Sequence, residues 1–537
     1  MNRFLVILMC FFGVPAWLFS QDVEKVLKSK PVEANGTVQL QQMLNRRFGD
    51  ASNDQPYNYV LSGNLNLKLF GVIDAPFQML FSNMGNRFSQ PTFNQTALHP
   101  QYKWIQLHLG RIAVNWSPQT VGGHVFQGAA TDLTPGNWTF SALYGRFQKA
   151  ITAPLDSISG NVIPAFRRMG YGFRAAHRHK NTHVQATYFQ ASDDTGSVQI
   201  GPFAAQKPMG NRVYGLLYDQ VVFKKIMLQA TWNQSLINSD LRLPDKWTSR
   251  LHYKASLAWQ GKAHQWNLAY EHTDPDYRTL GAYYFNNDIE NISLGGNLQA
   301  LKGKLSLSGQ AGLQRDNLDN RKSASMRRQV YSLQAQYRLG KSGMLSGSYS
   351  SFTSFTNTRP FTDYLQPNSP MLAWDALNFR EISESGNVQL ALPMPKWGKW
   401  QGSFTGNGLW QRNAGAPGSN SDFYNAGAGL VAKHAQNGAT LALQLNAGQN
   451  MAGEMRVRNL GPLLSYSVPL MNKKLRTSFS WSRIVSQVQN QRNVMSSARF
   501  QLNRQWKKQS LQAMLQLQQS QGRGFLQAVV GYQVVVK

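Results

Sequence analysis

In SLQAMLQLQQS, residues 510 to 520, Leu511, Ala513, Leu515 and Leu517 share one parity, and Gln512, Met514, Gln516 and Gln518 the other. Two is the side-chain period of a β-strand, and the pattern recurs along the chain. RLHYKASLAW sets Leu251, Tyr253, Ala255, Leu257 and Trp259 against Arg250, His252, Lys254, Ser256 and Ala258. KLRTSFSWS sets Leu475, Thr477, Phe479 and Trp481 against Arg476, Ser478, Ser480 and Ser482. GKLSLSGQAGL, YSLQAQYRL and ATLALQLNAG repeat it. A chain built this way leaves almost nothing for a conventional dry core.

The texture is uniform. Charged residues are 15%, aromatics 12%, and Gln, Asn, Ser and Gly are abundant, with no Pro/Ser-rich linker and no 3.6-residue apolar stripe. Lipid cannot satisfy backbone N–H and C=O groups, so a spanning sheet must close on itself. Each strand then shows one face to lipid and one to a wet lumen, as alternating segments of about ten residues with aromatics near their ends. The fold class expected is all-β: a transmembrane antiparallel β-barrel.

The N-terminal MNRFLVILMCFFGVPAWLFSQ has one arginine, an apolar run and a small residue, Ser20, before Gln21, which reads as a secretory signal peptide over residues 1 to 20. Cys10, the only cysteine, falls inside it, so no thiol is expected in the mature chain. Residues 21 to 31 are expected to form a short periplasmic segment and 32 to 537 a single barrel. That segment is too short for the plug that fills a receptor-type barrel.

Connections test the barrel. Short ones carry lysine: Lys180, Lys224, Lys225, Lys262, Lys302, Lys304, Lys341, Lys473, Lys474, Lys507 and Lys508. Between them longer connections are expected near 148 to 168, 192 to 211, 236 to 248, 272 to 288, 315 to 328, 352 to 380, 411 to 422, 448 to 459, 485 to 493 and 518 to 524. Many of these hold the acids, among them Asp193, Asp194, Asp274, Asp276 and Asp288. Short turns on a periplasmic rim and long loops outside are the outer-membrane pattern. The net charge of +29 then finds its partner in outer-membrane lipid headgroups at the lysine-bearing rim, and no nucleic acid is expected. Inward-parity Arg174, Arg250, His252, Lys254, Arg338, Arg476 and Arg499 are expected to make the lumen basic.

N-terminal strands are expected at 32 to 45, 58 to 69, 73 to 82, 103 to 114, 124 to 133 and 137 to 148. With the later ones they total an odd number. Treating 117 to 133 as a lumenal insert leaves about 24 strands, within 22 to 26.

LHPQYKWIQLHLG (98 to 110), LTPGNWTFSALYGRFQKAI (133 to 151) and PAFRRMGYGFR (164 to 174) together resemble a group of large, largely uncharacterised outer-membrane β-barrel proteins of the Bacteroidota. The resemblance implies the barrel and its location, but supplies no catalytic or binding residues. One departure is the C-terminal GYQVVVK, where many such barrels end on an aromatic residue; here Tyr532 is the nearest.

A lumen this wide leaks unless filled, by loops, by the 117 to 133 segment or by a partner such as a lipoprotein. Two functions follow: a subunit of a cell-envelope complex for transport, secretion or assembly, and, as the alternative, a stand-alone porin-like channel preferring small anions. No enzyme, cofactor or metal is expected. His264, His272, Asp274 and Asp276 lie close in sequence, but EHTDPDY is ordinary turn chemistry, and HExxH and the phosphate-cradling GxxxxGK[ST] are missing from the sequence.

Overall fold

The computed structural model describes residues 29–49, 56–83, 95–151, 164–198, 206–243, 246–283, 287–321, 327–340, 342–355, 380–414, 420–489 and 491–537. The expected signal peptide, most of the segment up to Pro31, and Lys341 lie outside them.

The strands, in chain order, are β1 Val32–Phe48, β2 Tyr57–Leu69, β3 Ile73–Ser82, β4 Gln95–Leu98, β5 Gln101–Tyr102, β6 Ile105–Asn115, β7 Val121–Leu133, β8 Trp138–Gln148, β9 Arg168–His179 and β10 Thr182–Asp193. They continue with β11 Gly210–Val222, β12 Ile226–Asn238, β13 Trp247–Gln260, β14 His264–Thr273, β15 Gly281–Ala282, β16 Ile289–Ala300, β17 Leu305–Arg315, β18 Arg327–Leu339 and β19 Gly343–Phe355. The last are β20 Arg380–Trp397, β21 Trp400–Ala414, β22 Ser421–His434, β23 Thr440–Ala452, β24 Met455–Leu470, β25 Leu475–Val488, β26 Gln491–Gln505, β27 Gln509–Ser520 and β28 Arg523–Val536.

Sequential strands pair antiparallel, and β1 pairs with β28 from Gly36↔Val536 to Phe48↔Gly524, so the sheet has no free edge. β4 and β5 occupy one wall position, both lying between β3 and β6, and β15 lies off the wall, paired in parallel with β7. The result is a closed 26-strand antiparallel barrel. The position the sequence pattern hides is β4–β5: QTALHPQY is too short and is interrupted at His99 and Pro100, whose missing N–H cannot join a ladder. Counting it restores an even number with 117 to 133 kept in the wall.

The lumenal-insert expectation for 117 to 133 is therefore corrected, though not wholly reversed. β7 is a wall strand, bonded to β6 and, over residues 127 to 133, to β8. Residues 121 and 122, followed by Gly123 at φ 70°, pair with β15 instead. Thus the upper end of the β6–β7 hairpin meets a segment inside the barrel, while its lower half holds the wall.

Parity separates the faces as expected. On β13, Tyr253, Ala255, Leu257 and Trp259 are exposed while His252 is buried and Lys254 and Ser256 are partly covered. Phe479, Phe500 and Leu515 stand opposite one another on the outer face. One step away, Ser480, Arg499, Gln516, Gln527 and Asn45 form an inward polar row, with Arg499 Nη2 donating to Gln516 Oε1 at 2.8 Å and Gln527 Nε2 to Asn45 Oδ1 at 3.0 Å. The lysine-bearing short turns gather on one rim with both barrel termini. Lys180, Lys224, Lys302 and Lys473 adopt positive φ there. Trp138, Trp259, Trp266 and Trp397 are exposed near the same rim, where amphipathic rings suit a membrane interface.

Three expected long connections are tight turns instead. β23 and β24 meet at Gly453 and Glu454, β25 ends at Val488 and β26 begins at Gln491, and β27 and β28 meet at Gln521 and Gly522. Their Gln- and Asn-rich flanks continue the ladder because an antiparallel sheet needs backbone groups there, whatever the side chains.

Candidate functional site: the lumen and its folded-in segment

An ordinary barrel lumen is wet, but one side of this one is dry. Inward residues of β6 to β11, including Ile112, Val121, Phe126, Phe147, Phe189 and Val213, form a buried apolar cluster. Phe126 and Phe147 stack with centroids 4.7 Å apart, and Phe189 meets Phe147 edge-on at 5.3 Å. Burying such a side chain contributes about 1.5–3 kcal/mol, so this side is packed as firmly as a soluble core.

The cover comes from residues 274 to 283 of the connection between β14 and β16, which runs from 274 to 288. It leaves the wall at Thr273 and pairs through β15 with β7, several wall positions away. Each contact has a named donor and acceptor. The Tyr277 hydroxyl donates to Gln119 O at 2.7 Å, and Thr279 Oγ1 to Thr120 O at 2.6 Å. Leu280 N donates to Asn211 Oδ1 at 3.0 Å; Asn211 Nδ2 donates to Ser235 Oγ at 2.8 Å and to Arg278 O at 3.3 Å. Ser235 Oγ in turn donates to Arg278 O at 2.5 Å. Burial pushes the Tyr277 phenol above its ordinary pKa, which keeps it a donor. Gly281 is required by contact: a Cβ there would lie 2.5 Å from Thr120 O and 2.9 Å from Phe189 Cε1. Tyr283 stacks on His124 at 4.0 Å. At the other end, Asp288 accepts from Asn317 N at 3.1 Å and Leu318 N at 2.8 Å, tying the next connection to this one.

A second polar group lies near the short-turn rim. His99 and His108 share a bond between their Nδ1 atoms at 2.7 Å, and His108 Nε2 lies 3.1 Å from Asp132. Asp132 also accepts from Ser141 Oγ and, at 3.2 Å, from Arg174 Nη2. Arg174 lies over Trp116 at 5.9 Å.

The basic lumen expected from sequence is thereby divided. Arg174 is paired with Asp132, Arg250 lies 3.8 Å from Asp276, and Lys254 lies 3.4 Å from Glu271. His252 is buried, its Nδ1 2.8 Å from Thr273 Oγ1. Arg338, Arg476 and Arg499 have inward register and no ion pair among the described residues. Nor do the sequence-adjacent histidines and acids converge. His264 packs against Trp259 at the short-turn end of β14, while His272 reaches Asp274 at 3.1 Å at the opposite end. Asp274 is further engaged by Leu251 N at 2.6 Å. Among the described residues there is no group of three or more His, Cys, Asp or Glu that could hold a metal.

Sequence reasoning missed Asn211, Ser235, Tyr277, Thr279 and Gly281. DPDYRTLGAYY carries turn residues but no periodicity, and nothing in it specifies an inward course.

No family model matches the chain, and no curated protein matches its sequence. Among solved structures it is similar to OprD of Pseudomonas aeruginosa at 10% identity and a TM-score of 0.35, covering 79% of this chain and 97% of that one. It is similar to OccAB4 of Acinetobacter baumannii at 10% and 0.31, covering 66% and 97%. For the FrpB iron transporter of Neisseria meningitidis the values are 10% and 0.39, covering 93% and 81%. Likeness at this level says nothing of what this chain carries; the class, a closed transmembrane β-barrel, rests on its own ladder.

Proposed function

We propose that this barrel sits in a Gram-negative outer membrane, exported by the secretory route, and acts as a channel for small polar solutes narrowed by its own 274 to 288 segment. The observation that carries this is the segment's position. Its residues 274 to 283 lie inside the barrel, held by the carbonyls of Gln119 and Thr120 and by side chains of β7, β11 and β12, and divide a dry packed side from one lined by Ser, Asn, Gln and arginine. That answers from within the chain the need to fill a wide lumen, so the porin-like alternative gains over the envelope-complex subunit. Arg338, Arg476 and Arg499 support a preference for anions, weaker than seven free basic groups would give. Lipids remain the expected partner of the turn lysines.

The test is planar-bilayer conductance of the protein purified from outer membranes in mild detergent, with mass spectrometry of what co-purifies. Stable steps from a lone barrel support the channel. A stoichiometric partner and no conductance return the function to a complex subunit.

A further inference from the structure

Where the 274 to 288 segment meets the wall, hydrogen-bond donors outnumber their acceptors. Thr187, Gly215, Asn233, His252 and Thr273 stand opposite one another across β10 to β14, all on the inward face. Gly215 is the low point of this row. A Cβ there would lie 2.4 Å from Thr187 Oγ1, 2.6 Å from Asn233 Oδ1 and 2.9 Å from Thr120 Cγ2, so its bare backbone lets Thr120 come down between its neighbours. The Tyr277 ring covers His252 at 6.0 Å.

Thr120, Asn233 and His252 are 0%, 2% and 1% exposed. Each keeps one buried polar atom without a hydrogen-bond partner among the described residues: Thr120 Oγ1, Asn233 Nδ2 and His252 Nε2. Arg250 Nε, two residues from His252 on the same inward parity, is a fourth. His252 Nδ1 lies 2.8 Å from Thr273 Oγ1; in the tautomer in which the hydroxyl donates, Nε2 carries the imidazole proton and all four groups can donate. The neighbouring carboxylates are already engaged, Glu271 with Lys254 at 3.4 Å and Asp276, itself largely exposed, with Arg250 at 3.8 Å. A buried donor left unsatisfied costs about 1–3 kcal/mol. Adjoining donors beside a guanidinium call for an acceptor, and negative charge suits it best.

We propose that this enclosed position binds a small inorganic anion of the halide class, held by Asn233, His252 and Thr120 with Arg250 as counter-charge. The bound ion fastens the inward segment to the wall. The site stands whether or not the barrel conducts, because it rests on buried donors and not on the channel reading.

The test is anomalous diffraction from crystals of the full chain grown in bromide, with melting of the same protein compared in chloride and in gluconate at equal ionic strength. A bromide peak within hydrogen-bonding reach of Asn233 Nδ2 and His252 Nε2, with a higher Tm in chloride, supports the site. Asn233→Asp should abolish both peak and chloride shift, and His252→Gln, which keeps a donor, should retain a reduced shift. A peak that no bromide replaces, with equal melting in the two salts, would mean an ordered water only and would overturn the proposal. That outcome is read on the native protein and does not depend on either variant folding.

Discussion

Replacing Asn211 by leucine tests whether the inward segment is held by its polar contacts or merely rests in the lumen. Asn211 is buried on β11, away from the membrane face, and matches leucine in side-chain branching and heavy-atom count, though leucine is bulkier. The substitution strips Leu280 N of its acceptor at 3.0 Å and removes one of two donors to Arg278 O, which keeps Ser235. An orphaned buried N–H costs about 1–3 kcal/mol and a lost net hydrogen bond about 0.5–1.5, together about 1.5–4.5 kcal/mol against the docked segment. At ~1.4 kcal/mol per tenfold, the docked-to-undocked ratio falls about 10- to 1,600-fold. The wall ladder uses backbone groups and is untouched, so folding into the heat-modifiable barrel band on gels should be unchanged. Single-channel recordings should show larger or flickering conductance, and protease should cut between residues 274 and 288 faster than in the native protein. Unchanged conductance together with unchanged cleavage would refute the idea that these contacts hold the segment in place.

Gly281→Val should act in the same direction with a larger effect, since its Cβ collides with Thr120 O and Phe189; cleavage kinetics within 274 to 288 would show it. Replacing Arg338, Arg476 and Arg499 together by glutamate should move reversal potentials toward cations, whereas Arg174→Gln combined with Asp132→Asn should change ion preference little because that pair carries no net charge. Asp132→Asn should destabilise the barrel, read as a lower unfolding midpoint in urea, by less than the ~3–5 kcal/mol that a fully buried unpaired charge costs, since Arg174 is only partly buried and keeps Ser141 Oγ. In the β12–β13 connection, Arg242 holds the Asp240 carboxyl down at about 2, below its ordinary value of 3.8. A depressed pKa gives stability that is present above the unfolded value and lost as pH falls through about 2. NMR titration of Asp240 should therefore show it ionised at pH 3, and Arg242→Gln should bring its midpoint back toward 3.8.

Much of the wall was legible before any coordinates, because a barrel strand advertises itself twice, by parity and by its turn. YSLQAQYRL and KLRTSFSWS fall within β18 and β25, and the lysine turns lie on one rim. What misled was composition: Gln- and Asn-rich strand ends resembled loops at residues 448 to 459 and 485 to 493, and an eight-residue wall position broken at His99 and Pro100 resembled none. The basic lumen was half visible. Parity placed Arg174, Arg250 and Lys254 on the inner face, but their acids, Asp132, Asp276 and Glu271, arrive through cross-strand register or through the inward course of a connection.

Period-two alternation determined the closed barrel by itself, since a backbone in lipid has to bond to neighbours along its whole length and a two-faced strand meets that need only by closing. The course of residues 274 to 288 was decided by tertiary structure alone. It depends on Asn211, Ser235 and Gly281, far apart in sequence, which act together only after β7, β11 and β12 have taken their places around one lumen.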